Sequence, residues 1–130
     1  MTPPLILDTG ALIAVIRRSR AVWVLLDEAQ RSEREVLVPA ATLAESVRGG
    51  PGDAMINRLV QRPGSQVTVH DERRARSAGH LLARASTADV VDALVVAEAI
   101  HQGGATIATS DPDDIADLAS GNRNVTAVRI

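Results

Sequence analysis

The chain has 130 residues, with 14 basic and 16 acidic side chains and a formal charge of −2, a size that fits a single domain, residues 1–130, able to bury its own core. Every basic residue is Arg and there is no Cys, which excludes Walker-type phosphate lysines, Schiff-base chemistry, lysine-assisted phospho-acceptor pockets and thiolate nucleophiles. His70, His80 and His101 lack i, i+4 spacing, so a zinc centre is not expected.

The opening residues carry no basic side chain before the first apolar stretch, and Asp8 interrupts that stretch. A signal peptide is therefore not expected. No apolar run approaches the ~18 residues that span a bilayer, so a soluble, cytoplasmic protein without membrane contact is expected.

In chain order, residues 5–7 read as a short apolar strand, followed by helical stretches over 11–16 and 21–29. A second apolar strand, 36–38, precedes helices over 40–47 and 54–60. A more polar strand over 66–69 leads to helices over 72–85 and 90–100. Strands over 106–108 and 125–128 close the chain, with a helix-start pattern at Asp111-Pro112 between them. The Gly49-Gly50-Pro51-Gly52, Pro63-Gly64 and Gly103-Gly104 breaks are turns within one unit. Alternating strands and helices predict an α/β fold: a three-layer α/β/α domain around a mostly parallel sheet of about four or five strands.

In such a sheet, ligands bind beyond the carboxyl ends of the strands. Asp8 directly follows the first strand and Asp111 follows the 106–110 segment; Glu45 lies one to two turns into the helix after the second strand, and Asp89 and Asp92 share a helix face. Singly, Asp8 and Asp111 are explicable as helix caps, Glu45 as a solvated residue, and Asp89 as a complement to the helix dipole. Asp92 is harder to explain, because Val90-Val91-Asp92-Ala93-Leu94-Val95-Val96-Ala97 is apolar nearly all round. An unpaired carboxylate there costs several kcal/mol, against a helix-end benefit of about 1 kcal/mol. Its partner is a distant Arg, a proton or a metal ion. If Asp8, Glu45, Asp92 and Asp111 meet, each pair at ~4 Å repels by roughly 4 kcal/mol at an effective dielectric of 20. A divalent cation relieves that conflict, and an all-oxygen donor set suits Mg²⁺ or Mn²⁺.

Four segments carry a family resemblance: Leu7-Asp8-Thr9-Gly10-Ala11-Leu12, Pro39-Ala40-Ala41-Thr42-Leu43-Ala44-Glu45, Val91-Asp92-Ala93-Leu94-Val95-Val96-Ala97 and Thr109-Ser110-Asp111-Pro112-Asp113-Asp114-Ile115. In order and spacing they resemble PIN domains, specifically the VapC toxins of type II toxin–antitoxin pairs. Val95-Val96 and Ile115 depart from the usual small and aromatic residues, and neither is an acid. The resemblance implies an acidic quartet of Asp8, Glu45, Asp92 and Asp111, with Asp114 and Asp89 as accessory carboxylates and Thr9, Thr109 and Ser110 as supporting hydroxyls. It implies metal-dependent hydrolysis of RNA phosphodiesters to 5′-phosphate and 3′-hydroxyl ends, with Asp8, Asp92 and Asp111 contacting Mg²⁺ or Mn²⁺ and Glu45 positioning a second ion or the water. A VapB-like antitoxin and a homodimer are the implied partners, with apolar helices near Val15, Ile16, Val22 and Leu26 forming the antitoxin groove; read from the residues alone, the apolar surface of 21–26 is core by default.

RNA binding by an acidic protein needs local cations. Arg17, Arg18 and Arg20 form one cluster and Arg73, Arg74 and Arg76 another; Arg17, Arg18, Arg73 and Arg74 are the candidate RNA contacts, and each cluster reads equally well as a solvated helix face. Trp23 is the only aromatic residue, so base stacking contributes little. Two rival readings remain: a catalytically silent PIN-like binding module, and, remotely, an aspartic protease through Asp8-Thr9-Gly10-Ala11, which would require an all-β dimer.

Overall fold

The computed structural model describes residues 2–130. The elements run β1 (Leu5–Leu7), α1 (Thr9–Ile16), α2 (Arg20–Arg31), β2 (Val36–Pro39), α3 (Ala40–Ser46), α4 (Asp53–Val60), β3 (Ser65–Thr68), α5 (Glu72–Arg84), α6 (Val90–His101), β4 (Ala105–Thr109), α7 (Pro112–Leu118) and β5 (Val125–Arg129). The strands form one five-stranded sheet in the order β3-β2-β1-β4-β5, and every pairing is parallel.

Side-chain alternation along the central strands builds the layers. Leu5, Leu7, Val36 and Val38 face a core formed with Leu12 and Val15 of α1, Val22 and Leu26 of α2 and Leu59 of α4. Ile6, Leu37 and Ile107 face the opposite way, against Leu81 of α5, Val95 and Val96 of α6 and Ile115 and Leu118 of α7. The edge strands β3 and β5 are more exposed and more polar, as expected where only part of each face is covered. This parallel, helix-covered sheet excludes the all-β protease reading of Asp8-Thr9-Gly10.

Two expectations are corrected by the packing. Val15, Val22 and Leu26 are core residues with at most 1 % exposure and cannot line a partner groove, so of the four residues named for it only the half-buried Ile16 reaches the surface. The other three face the sheet because that is where the apolar stripe of each helix is buried. The surface beside them is instead a shallow cleft of about 270 Å³ lined by Arg18, Trp23, Met55 and Arg58. The second correction concerns Arg74. Its Nε donates to Glu98 Oε1 at 3.0 Å and its Nη1 to Asp71 Oδ2 at 3.0 Å, so this guanidinium serves a buried carboxylate on α6 and is committed within the fold.

The connections from β1 lead outward through β2 to β3, and the chain then crosses by way of α5 and α6 to β4 on the other flank of β1. The order of strands reverses between β1 and β4. Their carboxyl ends therefore diverge into separate loops and leave a crevice between them.

Candidate active site at the carboxyl ends of β1 and β4

Asp8 occupies the crevice directly. It ends β1 and begins α1, with its Oδ1 accepting a hydrogen bond from the Ala11 amide at 2.9 Å. It is only 4 % exposed, and burial raises its pKa above the ordinary carboxylate value. The Thr109 hydroxyl and the Ala11 and Gly10 amides oppose that shift, while the charge of Asp111 adds to it. The helix-cap reading of Asp8 is thus correct and does not exhaust its role, because a cap in solvent would not be buried against another carboxylate.

Asp111 follows β4 on the other side of the crevice. Its amide donates to Thr109 Oγ1 at 2.9 Å, which fixes the backbone of the turn. Its side chain makes no capping bond to α7, so capping does not account for this residue. Asp111 instead shares a hydrogen bond with Asp114, one turn into α7, and that bond followed by the charge of Asp111 raises the pKa of Asp114.

Asp92 enters from the first turn of α6. Asp89 caps that helix, accepting from the Asp92 amide at 3.0 Å. The half-buried Asp92 carboxyl is pushed up to about 7 by burial and then by the charges of Asp89, Asp8, Asp114 and Asp111. The four side chains that raise it most are all carboxylates. The one Arg drawn onto this helix is taken by Glu98, which is fully buried and held by Arg74 and by Gln102 Nε2 at 3.0 Å.

Glu45 reaches the site from α3 and is exposed. The Thr9 hydroxyl, on the residue after Asp8, donates to Glu45 Oε1 at 2.5 Å. Ser110 lies over Gly10: a β-carbon on Gly10 would stand 2.2 Å from Ser110 Oγ. The carbonyl of Ser110 accepts from Arg129 Nη1 at 3.2 Å. Arg17 and Ser110 border one cleft, of about 410 Å³, floored by Gly10 and Ile13. Arg18 and Arg73 are exposed. A larger cleft, about 670 Å³, lies at the opposite end of the strands beside Pro3, Glu35 and Gly104, remote from the carboxylates.

The structure thus brings Asp8, Asp89, Asp92, Asp111 and Asp114 into mutual electrostatic range, with Glu45 tied in through Thr9. Among the described residues no three acidic or imidazole groups already converge into a closed metal cage. The donor set nevertheless fits a hard divalent cation, since the buried Asp8 and half-buried Asp92 are repelled by each other and by the more exposed Asp89, Asp111 and Asp114. Sequence reasoning missed Thr42, His70, Arg129 and the Arg74–Glu98 pair. Of these only Glu98, a charge inside the apolar α6 pattern, left a signal in the sequence.

The PIN domain family model matches residues 5–120 of the chain. No curated protein matches the sequence. Among solved structures, the fold is similar to that of a chain in the VapBC2 complex of Rickettsia felis bound to promoter DNA, at a TM-score of 0.76 and 13% identity over 97% of this chain and 98% of that one. A chain of the DNA-bound VapBC of Salmonella typhimurium is similar at a TM-score of 0.72 and 14% identity, over 98% of both chains. A chain of FitAcB from Neisseria gonorrhoeae is similar at 0.64 and 22%, over 95% of both.

Proposed function

Because the chain belongs to the PIN domain family, we propose that it is a Mg²⁺- or Mn²⁺-dependent endoribonuclease acting as the toxin of a toxin–antitoxin pair in the cytoplasm. The observation that supports the reading is the placement of Asp8 and Asp111 at the ends of β1 and β4 and of Asp92 in the first turn of α6, where burial and the neighbouring carboxylates push Asp92 up to about 7. A cluster of like charges at the ligand-binding end of a parallel sheet is costly to the fold, and a cation-dependent reaction gives it a use.

Asp8, Asp92 and Asp111 would hold the ion, which when bound supplies Lewis acidity and a water of lowered pKa. The chain's own residues organise the rest. The α1 amides and the Thr109 hydroxyl orient Asp8, and Thr109 also fixes the turn that presents Asp111. Thr9 holds Glu45 where it can orient a water or a second ion. Asp89 and Asp114 add negative charge at the rim. Gly10 and Ser110 pack without an intervening side chain and bring the two loops together. The products would carry 5′-phosphate and 3′-hydroxyl ends.

Arg17, Arg18 and Arg73, all exposed, are the cations proposed to meet an RNA backbone. The structural relatives were solved as VapBC and FitAB complexes, and a VapB-like antitoxin is the partner proposed here. Its seat would be the cleft of Arg18, Trp23, Met55 and Arg58, where Trp23 also carries the Arg62 guanidinium 5.5 Å from its ring centre. A homodimer is the proposed assembly. Among the described residues no helix is long and apolar enough to cross a membrane.

The test is cleavage of structured RNAs with Mg²⁺ or Mn²⁺ by the wild type, Asp8→Asn and Asp92→Asn, with end-group analysis of the products. Cleavage by the wild type alone, abolished by EDTA, is expected. Equal cleavage by all three proteins, or cleavage that survives EDTA, overturns the assignment. A well-folded wild type that cuts no RNA favours the silent binding module instead.

A further inference from the structure

We infer that His70 is a positioning residue for Glu45, acting through the backbone of α3; this rests on the nuclease reading of the acidic cluster. Helix α3 (Ala40–Ser46) begins after Pro39, whose side chain provides no capping bond, although the first-turn amides of any helix need acceptors. The Ala41 amide finds one far along the chain, donating to His70 Nε2 at 3.0 Å from the segment after β3. In this contact Nε2 is the acceptor, while the buried Nδ1 on the other side of the ring has no hydrogen-bond partner.

The same helix is tied on its inner side. The fully buried Thr42 hydroxyl lies 2.9 Å from the Pro39 carbonyl and 3.3 Å from the carbonyl of Leu7, the residue before Asp8. At the far end Glu45 receives the Thr9 hydroxyl. A helix of seven residues has little stability of its own, so its orientation is set by these ties. Ala41 and Glu45 are about one turn apart, or ~6 Å along the axis. A tilt at the capped end is therefore transmitted to the carboxylate.

His70 itself follows β3, two strands from β1 in the sheet order, a separation of roughly 10 Å at ~4.8 Å per strand. The hydrogen bond it makes goes to the backbone of α3, and its contribution runs through that helix.

The test compares wild type, His70→Leu, which lacks an acceptor, and His70→Gln, whose amide oxygen reaches the place of Nε2. Three quantities are measured: hydrogen exchange at the Ala41 amide, the NMR shift of the Glu45 carboxyl carbon, and Mn²⁺-supported RNA cleavage. His70→Leu should expose the Ala41 amide, move the Glu45 signal and lower kcat by about 10- to 100-fold with KM nearly unchanged. His70→Gln should restore all three. If His70→Leu does not fold, His70→Asn, whose shorter amide falls short of Ala41, takes its place. Wild-type kcat in the Leu variant, equal impairment of Leu and Gln, or an unmoved Glu45 signal overturns the inference. If the wild type cuts no RNA, the nuclease reading fails, while exchange at Ala41 and the Glu45 signal still decide the role of His70.

Discussion

The Thr9 hydroxyl donates to the carboxylate of Glu45 across 36 residues of sequence, joining the first turn of α1 to the last turn of α3. Thr9 sits next to Asp8, so this one bond sets where Glu45 lies relative to the most buried acid of the site. Thr9→Val keeps the shape and removes the donor. A hydrogen bond to a charged group contributes about 1.5–3 kcal/mol in favourable settings and less at an exposed residue such as Glu45. We expect kcat to fall about 3- to 10-fold with little change in melting temperature. Metal-dependent cleavage kinetics beside a thermal melt check this, and undiminished kcat would remove Thr9 from the mechanism.

Asp92 gives the metal-free protein a characteristic pH dependence. Its folded-state pKa, about 7, lies above the ordinary value of 3.8, so between those values the native state holds more protons than the unfolded one. Stability from this group is therefore greatest below the ordinary value and is lost as pH rises through the folded value. After allowance for the solvent screening of a half-buried group, the loss is of order 1–3 kcal/mol. Denaturant unfolding in EDTA should show the wild type more stable at pH 5 than at pH 8. Asp92→Asn should flatten that slope and be the more stable protein at pH 8. A wild-type profile that rises over this range would contradict the environment assigned to Asp92.

The buried pair on the other side of α6 obeys a different balance. Glu98 is fully buried and Arg74 supplies both its charge partner and two of its hydrogen bonds. Removing the guanidinium leaves a buried anion, a loss of about 3–5 kcal/mol. Arg74→Ala should therefore melt roughly 10–20 °C below wild type, whereas Arg73→Ala, from an exposed position, should leave stability unchanged and weaken RNA binding. Replacing both members, Arg74→Leu with Glu98→Leu, should recover much of the loss, because paired burial of ions is itself costly. An Arg74→Ala melt within about 2 °C of wild type would show the pair to be energetically idle.

The contrast between Arg73 and Arg74 shows what the sequence could convey. Strands and helices were legible because Leu5, Leu7, Val36 and Val38 alternate with residues of the opposite face and the helices carry apolar stripes. The positions of Asp8 and Asp111 after apolar strands were legible for the same reason. Adjacent Arg residues on one helix look alike in sequence, and only the packing of α5 on α6 turns Arg74 inward to Glu98. The apolar stripe of residues 21–26 already reads first as core, which the burial of Val22 and Leu26 bears out, while the groove near Val15, Ile16, Val22 and Leu26 rested on the family resemblance and not on the periodicity. His70 left no local signal, because it acts on backbone brought near by the strand order, and the reach of Thr42 to Leu7 is hidden for the same reason.

Gly10 provides a steric test of the site. Its backbone is not in the left-handed region, so a methyl group there, in the first turn of α1, strains no dihedral angle. What opposes it is Ser110, whose Oγ and Cβ would lie 2.2 and 2.8 Å from the new carbon. Ser110 precedes Asp111, so relief of the collision displaces the turn that presents this carboxylate. Gly10→Ala should thus lose about tenfold or more in kcat while its melting temperature changes by only a few degrees. Gly10→Ala with Ser110→Gly removes the colliding atoms from the other side and should regain most of the activity. If the double variant is no better than the single one, the close approach of these two loops does not govern where Asp111 sits.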